Sequence, residues 1–201
     1  LYAATASVLT HTNSNSIDKL LDWIDEHMDI RTHGIMLARG DIPTDEGQGA
    51  SDEVFSDVLR KHRKMSHGNG LLGDTIGDVY TESRIKTVNA RKMHDPCLAG
   101  KKLLIIDELA NVHPCEILKV LAANGETDAP EFGDFSLGNL RDADFNLTAL
   151  LESERAQGIK QFIKDERCWC TFECAQINNF VLNPDAYLRS ASRYIRSLLH
   201  I

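Results

Sequence analysis

Long apolar runs and an excess of basic residues are both absent from this sequence of 201 residues. The longest apolar runs, such as residues 103–106, are far shorter than the roughly 20 residues that span a bilayer, so we expect no membrane span. The net charge is −8, whereas a general nucleic-acid binder needs a basic surface to neutralise phosphates. The chain also opens without the pattern of a signal peptide. These absences predict a cytoplasmic globular protein that binds no nucleic acid.

Cysteine is absent from the first 96 residues, and all five cysteines lie in the remainder of the chain: Cys97, Cys115, Cys168, Cys170 and Cys174. An odd number cannot form a complete set of internal disulfides. In a reducing compartment, clustered cysteines more often bind metal or carry out redox chemistry. This distribution divides the chain into a cysteine-free first region and a cysteine-bearing second region.

Strand and helix patterns alternate in the first region. Residues 2–10 and residues 31–39 each predict a strand with a buried centre. Between them, apolar residues recur at the spacing of one buried helix face: Ile17, Leu20, Leu21, Ile24 and Met28. A strand, a helix and a strand at this spacing indicate a βα-unit of a parallel sheet.

Two further helices are predicted before the first cysteine. Ser51 is a suitable cap for one of them, and residues 75–92 form the other. The glycines between these helices, Gly68, Gly70 and Gly73, are expected to break the chain and to mark a linker.

The second region begins with the pattern of a hairpin. Residues 101–107 and 112–118 predict two strands joined by a short turn, and helices are expected at 144–154 and 157–164. A last helix opens with Pro184 at its first position. Its apolar residues predict a buried stripe: Tyr187, Leu188, Ala191, Tyr194, Ile195, Leu198 and Leu199.

Three of the cysteines fall within the run CWCTFEC at residues 168–174. A metal ion or cluster needs several soft thiolates within a few ångströms, and a hairpin bearing Cys97 and Cys115 would bring two more to this run. Spacing alone leaves open an iron–sulfur cluster, a structural zinc site and plain buried cysteines. Four thiolates suffice for either centre, so one cysteine of the triplet is left over.

Four segments of the second region resemble the twitch or SPASM-like domain, which binds an auxiliary cluster at the C-terminus of many radical S-adenosylmethionine (SAM) enzymes. They are PCLAGKKLLIID at 96–107, NVHPCEIL at 111–118, FSLGNLRD at 135–142 and CWCTFEC at 168–174. The order and spacing of these segments agree with the family. The resemblance implies that the five cysteines supply the ligands of an auxiliary [4Fe–4S] cluster.

The sequence departs from the family pattern at one position in the hairpin turn. The family usually has glycine five residues before the second cysteine, where this chain has Ala110. We expect Asn111 to take the left-handed conformation instead, because asparagine tolerates it.

The first region resembles the last strands of the partial (β/α)6 barrel of the same enzymes. The resemblance implies that the carboxyl ends of these strands face SAM and substrate. Thr10, Asn13 and Arg39 are then candidates for polar contacts, and the backbone near Met36 and Leu37 for contact with adenine. The alternatives are local ones. Thr10 and Asn13 equally suit the end of a strand and the start of a turn, and Arg39 suits an ion pair with an acidic neighbour such as the aspartate at 41.

The fold class expected from the resemblance is α/β, the C-terminal portion of a partial, TIM-like (β/α)6 barrel followed by a small α+β cysteine-rich domain with a β-hairpin. Its expected parts are the barrel strands and helices at 1–73, a linker helix at 74–93 and the cluster domain at 94–201. The sequence contains no C-x3-C-x2-C motif. We therefore expect the catalytic cluster of the parent enzyme in a part that precedes this chain.

The parent enzyme, as the resemblance implies, cleaves SAM reductively to a 5′-deoxyadenosyl radical, which abstracts hydrogen from a substrate. Its expected partners are an electron donor such as a flavodoxin or ferredoxin and a peptide or small-molecule substrate. The alternative function is a non-catalytic zinc-binding interaction module that uses the same cysteines. A thiol-based reductase is a weaker hypothesis, because no C-x-x-C pair is present.

Overall fold

The computed structural model of the chain describes residues 4–28, 30, 32–39, 48–65, 70–125, 127 and 129–199. Within these ranges the protein is a mixed α/β fold with two small sheets and several surrounding helices. No helix in the described ranges has the length and apolar character required to cross a membrane.

The first sheet pairs strand β1 (Ala4–Leu9) with strand β2 (Thr32–Leu37) through helix α1 (Ile17–His27). The two strands run parallel, and Ala4 pairs with Thr32 at one end and Leu9 with Leu37 at the other. The predicted βα-unit is therefore confirmed. The strands of the described residues form no closed barrel.

Helix α1 buries a narrower face than its apolar pattern predicts. Ile17 and Leu21 are buried against the sheet and the next helix, and Ile24 is also buried, whereas Leu20 is 43% and Met28 37% exposed. A two-stranded sheet covers only part of the helix surface, so the flanking positions of the stripe remain at the surface.

Two long helices follow, α2 (Asp52–Met65) and α3 (Gly70–Ala90). The predicted cap of α2 is confirmed, since the Ser51 hydroxyl accepts a hydrogen bond from the Val54 amide at 3.3 Å. The predicted break agrees with Gly70, which is the first residue of α3 and has a φ of 74°. It is wrong for Gly73, which lies within α3, and Gly68 lies outside the described residues. Helix α3 packs against α2 and against two helices of the second region, and this packing offsets the roughly 1 kcal/mol that each internal glycine costs a helix.

The second sheet contains three short strands in the order β3 (Ile105–Ile106), β4 (Asn111–His113) and β5 (Gly138–Asn139). Strands β3 and β4 form the predicted hairpin, with Ile105 opposite His113. The hairpin is shorter than expected, because Pro114 lacks the N–H that would extend the ladder. Strand β5 lies within FSLGNLRD at 135–142, one of the four segments that carry the resemblance.

Helices build the rest of the second region around an apolar core. Phe135, Ile159 and Phe162 are almost fully buried in it, and the two phenylalanine rings lie 5.1 Å apart. The predicted helices at 144–154 and 157–164 correspond to α5 (Leu147–Glu152) and α6 (Glu154–Lys164). The bounds are α4 Leu118–Ala123, a 3₁₀ turn Pro130–Phe132, α5 Leu147–Glu152, α6 Glu154–Lys164, α7 Glu173–Val181 and α8 Pro184–Leu199.

Helix α8 is oriented opposite to the sequence prediction. Its expected apolar stripe is mostly at the surface, with exposures of 60%, 69%, 54%, 52% and 61% for Tyr187, Leu188, Ile195, Leu198 and Leu199. The face that packs on α3 carries the buried Ala186 and Ser190 instead. Ion pairs of Arg189 with Asp95 and of Arg193 with Glu82 hold this face in place. Small and charged residues therefore decide which side of α8 turns inward.

The hairpin turn is organised by the carboxylate of Asp107. Its Oδ1 accepts hydrogen bonds from the backbone amides of Leu109 and Asn111 at 2.9 and 2.8 Å, and its Oδ2 accepts from the Asn111 side chain at 2.9 Å. Ala110 takes the left-handed conformation, with φ of 69°. The expectation that Asn111 does so is wrong, because Asn111 is already held in β4.

Replacement of Ala110 by glycine is expected to stabilise the protein. Glycine adopts a positive φ without the steric cost of a Cβ, so Ala110→Gly should raise the free energy of unfolding by about 1 kcal/mol in urea titrations. The control is Ala191→Gly on the exposed surface of α8, which should lower it by about 1 kcal/mol. Equal destabilisation by both changes would contradict the strain at Ala110.

The interior of the first region contains a histidine that stays neutral. His62 of α2 lies beside His33 of β2, with ring centroids 5.6 Å apart. Burial, and then the nearby charges of His33 and Arg84, lower the pKa of His62 to about 4. Burial also lowers the pKa of His33.

Stability is expected to fall as the pH drops from about 6.5 to about 4. In this window the unfolded chain binds a proton at His62 and the folded chain does not, so the free energy of unfolding decreases by up to about 3 kcal/mol. In urea titrations across this range, the free energy of unfolding should depend less on pH for His62→Gln than for the wild type. The matched control, His11→Gln at an exposed position, should leave the dependence unchanged, and an equal response of the two variants would contradict this origin.

Candidate metal centre and adjoining cleft

Four cysteines from three separate segments line one cavity. Cys97 precedes the hairpin, Cys115 follows β4, and Cys168 and Cys170 lie in the extended segment between α6 and α7. The remaining lining is apolar: Met93, Ala99, Ile117, Leu118, Leu121, Ile163, Trp169 and Ala175. The structure therefore brings together thiols that lie more than 70 residues apart in the sequence.

Hydrogen bonds between these segments hold the thiols near each other. The Gly100 amide donates to the Pro114 carbonyl at 3.2 Å, which joins the segments of Cys97 and Cys115. The Leu98 amide donates to the Asn179 side chain of α7 at 2.8 Å. The Gln176 side chain of α7 donates to the Cys170 carbonyl at 3.2 Å. Helix α7 thus anchors two of the three segments.

Burial dominates the electrostatics of the cavity. It raises the pKa of all four thiols, to about 12 for Cys170. Repulsion from neighbouring thiolates raises the pKa of Cys115, Cys168 and Cys170 further. The thiols are therefore neutral at physiological pH. A cationic centre that binds them displaces their protons.

Cys174 lies outside this cavity. It is exposed on α7, two residues after the extended segment ends, and it is not among the residues around the other four thiols. The structure thus distinguishes Cys168 and Cys170 from the third cysteine of the run, a distinction that spacing alone leaves open.

The donor set of the cavity fits a thiolate-held centre. Four thiols in an apolar setting are the ligands that iron–sulfur clusters and zinc both use. The described residues contain no group of three His, Cys, Asp or Glu side chains arranged around a single metal ion. The cavity measures about 20 Å³, space for one water, so a cluster enters only if the thiols move apart. Residues 167–172, which carry Cys168 and Cys170, form neither helix nor strand.

A cleft of about 680 Å³ adjoins the cysteine cavity. It lies between the carboxyl end of β2, helix α4 and the cysteine-bearing segment. Trp169 and Cys170 line both the cleft and the cavity, as do Ile117 and Leu121. A molecule in the cleft therefore contacts the same wall as a centre in the cavity.

The predicted SAM and substrate contacts divide into two groups. Leu37 and Arg39 line the cleft, whereas Met36, Thr10 and Asn13 are not part of its wall. The Thr10 amide donates to Asn13 Oδ1 at 2.8 Å, and the Asn13 amide donates to Thr10 Oγ1 at 3.2 Å. Thr10 and Asn13 thus end a strand and start a turn. For all five residues, Thr10, Asn13, Met36, Leu37 and Arg39, a contact with a ligand stays a prediction.

Arg39 has an acidic neighbour other than the expected one. The aspartate at 41 lies outside the described residues. The Arg39 Nη2 is 3.8 Å from Oε1 of Glu173, the first residue of α7.

A buried ion pair that the sequence does not reveal connects the two regions. Arg84 of α3 is 6% exposed, and its Nη2 donates to Glu173 Oε1 and to the Ile35 carbonyl, each at 2.7 Å. Its Nε donates to Gln176 at 3.2 Å. Burial raises the pKa of Glu173, and the positive charges of Arg84 and Arg39 oppose this shift. An arginine within a helix gives no local signal of such a role, so only the packing identifies it.

Loss of the Arg84 side chain is expected to destabilise the protein strongly. Arg84→Met leaves Glu173 and the Ile35 carbonyl without their donor in the interior, so the free energy of unfolding should drop by about 3–5 kcal/mol in urea titrations. The control is Arg91→Met, because Arg91 pairs with Asp52 at 2.8 Å but is 72% exposed. That change should cost less than about 1 kcal/mol. Similar losses for the two variants would contradict the assigned importance of the buried pair.

No protein-family model and no curated protein matches the chain. Among solved structures, the chain is similar to a tagged form of "anSMEcpe with bound AdoMet", with a TM-score of 0.46 and 13% sequence identity. The match covers 98% of this chain and 54% of that one, so this chain spans about half of its length.

Proposed function

We propose that Cys97, Cys115, Cys168 and Cys170 bind an auxiliary iron–sulfur cluster and that the chain works within a radical SAM enzyme. The observation that carries this proposal is the convergence of four thiols from three segments on one apolar cavity. The resemblance of the second region to cluster-binding domains supports it independently, because it rests on sequence.

Plain apolar packing is a weaker account of these cysteines. Buried cysteines that act only as small apolar residues have no reason to collect at one place. Here four of the five cysteines of the chain share a single cavity, and they do so through loop segments rather than through the regular packing of helices.

The parallel strands β1 and β2 are proposed as the last strands of a partial (β/α)6 barrel. Ligands of such barrels bind at the carboxyl ends of the strands, and the cleft lies at that end of β2. We propose this cleft as the place of SAM and substrate. Leu37 and Arg39 form part of its wall, and Thr10, Asn13 and Met36 are further candidates.

When bound, the catalytic cluster of such an enzyme would supply the single electron that cleaves SAM. The auxiliary cluster would accept an electron from the product radical or hold the substrate in place. This sequence holds no C-x3-C-x2-C motif, so the catalytic cluster is not assigned to these residues. The side chain of Trp169, between cavity and cleft, excludes water from the thiols. The same proposal includes an external electron donor, such as a flavodoxin or ferredoxin, and a peptide or small-molecule substrate. It also includes a cytoplasmic location and a division of the chain into barrel part, linker helix and cluster domain after residues 73 and 93.

The alternative is a zinc-binding interaction module. A zinc ion holds thiolates at about 2.3 Å, which requires four sulfurs tightly gathered around one point. The described residues show no such grouping, and the cavity of about 20 Å³ equally requires the thiols to move before a cluster binds. The resemblance of the second region to cluster-binding domains, rather than this geometry, makes the cluster the favoured centre.

Anaerobic reconstitution of the full chain with iron and sulfide is expected to give a brown protein. Iron and inorganic sulfide should be present in equal amounts, with broad visible absorption from sulfide-to-iron charge transfer. Cys115→Ser and Cys170→Ser should each lose most of this absorption and iron. Cys174→Ser is the matched control, since its thiol is exposed and outside the cavity, and it should retain both.

Two results would count against the cluster. A colourless protein with one zinc ion per chain would favour the zinc module. Equal loss of iron in Cys174→Ser and Cys170→Ser would show that the cavity does not select the ligands.

A further inference from the structure

The wall of the cleft contains a buried positive charge without a full counter-charge. The side chain of Arg39 is 15% exposed. Its Nε and Nη2 atoms are buried and form no hydrogen bond with any part of the chain that the structure describes. Burial of an unpaired guanidinium is costly, so a missing partner needs to be identified.

The nearby carboxylate does not supply this partner. Glu173 Oε1 lies 3.8 Å from Arg39 Nη2, but the same oxygen accepts the hydrogen bond from Arg84 at 2.7 Å. One carboxylate thus faces two guanidinium groups. The other charged residues of the cleft wall, Asp52 and Arg91, pair with each other at 2.8 Å. Among the residues that the structure describes, the charges around the cleft therefore leave an excess of one positive charge at Arg39.

The free donors and the space both suit a small anion. Nε and Nη2 lie on one edge of the guanidinium, and such an edge donates two parallel hydrogen bonds to a carboxylate or phosphate. Both atoms are covered in the structure, so the Arg39 side chain, which lines the cleft, has to turn this edge toward the cleft to bind the anion. The cleft volume of about 680 Å³ falls within the roughly 300–1,000 Å³ of small-molecule sites. An anionic group in the cleft would supply the acceptors and the counter-charge together.

We propose that the cleft binds a small organic anion through its carboxylate or phosphate group, with Arg39 as the receptor. If this anion is the substrate, the inference names the substrate class of the proposed enzyme. Only that last step rests on the proposed function. The binding of the anion itself does not depend on a cluster.

A cluster in the cysteine cavity is the rival partner for Arg39, because a cluster held by four thiolates carries negative charge. Cys170 lines both spaces, whereas Arg39 lines only the cleft. The placement of Arg39 therefore favours the anion in the cleft.

Titration of the full chain with inorganic phosphate, and separately with acetate, tests the proposal by calorimetry at constant ionic strength. The wild type should bind at least one of the two probes, and which of them binds identifies the anionic group. Arg39→Gln should weaken binding about tenfold or more, because a charge-assisted pair of hydrogen bonds is lost. Arg39→Lys keeps the positive charge but cannot donate two parallel hydrogen bonds, so its affinity for the probe should lie between those of the wild type and Arg39→Gln. Lys101→Gln removes an exposed charge outside the cleft and should bind as the wild type does.

Thermal unfolding without added anion gives a second readout. Arg39→Gln should unfold at the same temperature as the wild type or higher, since it removes an unpaired buried charge. A loss as large as that of Arg84→Met would show that Arg39 is already satisfied and would overturn the proposal.

Reconstituted protein separates this inference from the proposed function. Equal probe binding by wild type and Arg39→Gln, or no binding by either, overturns the anion site. A shift in the midpoint potential of the cluster in Arg39→Gln, together with absent anion binding, would assign the charge to the cluster. Probe binding that depends on Arg39 in a chain that takes up no iron or sulfide would support the anion site and refute the cluster.

Discussion

The guanidinium of Arg84 is the point at which the two regions of the protein meet. It donates hydrogen bonds to the Ile35 carbonyl in the first sheet and to Glu173 and Gln176 at the start of α7. A buried cation requires its partners, so α3, β2 and α7 keep one relative position. Gln176 also donates to the Cys170 carbonyl, and the cysteine-bearing segment is therefore placed by the same group of contacts.

The cysteine cavity depends on this placement and on the hairpin. The carboxylate of Asp107 closes the hairpin turn. The hydrogen bond from the Asn111 side chain helps to lower the pKa of Asp107 to about 2, so this carboxylate remains charged and continues to accept its hydrogen bonds. The strand that follows delivers Cys115 to the cavity, and backbone hydrogen bonds align the segment of Cys97 with it. The cavity is neutral and apolar until a cationic centre replaces the thiol protons.

The cleft and the cavity are adjacent and share part of their wall, but they favour bound groups of different charge. The cavity favours a centre that accepts thiolates, and the cleft favours a negatively charged group near Arg39. Trp169 and Cys170 separate the two spaces. A substrate held in the cleft would thus lie directly beside a redox centre, as the proposed enzyme requires.

The sequence by itself determined the parallel pair of strands, the hairpin, the approximate positions of most helices and the set of cysteines, because these depend on local spacing and residue type. Only the tertiary structure decided that Cys174 stays outside the cavity, that Ala110 rather than Asn111 takes the positive φ, and that the apolar stripe of α8 faces solvent. It also decided the roles of Arg84 and Glu173. These outcomes depend on which surfaces meet across long separations in the chain, where buried ion pairs and packing outweigh the local pattern.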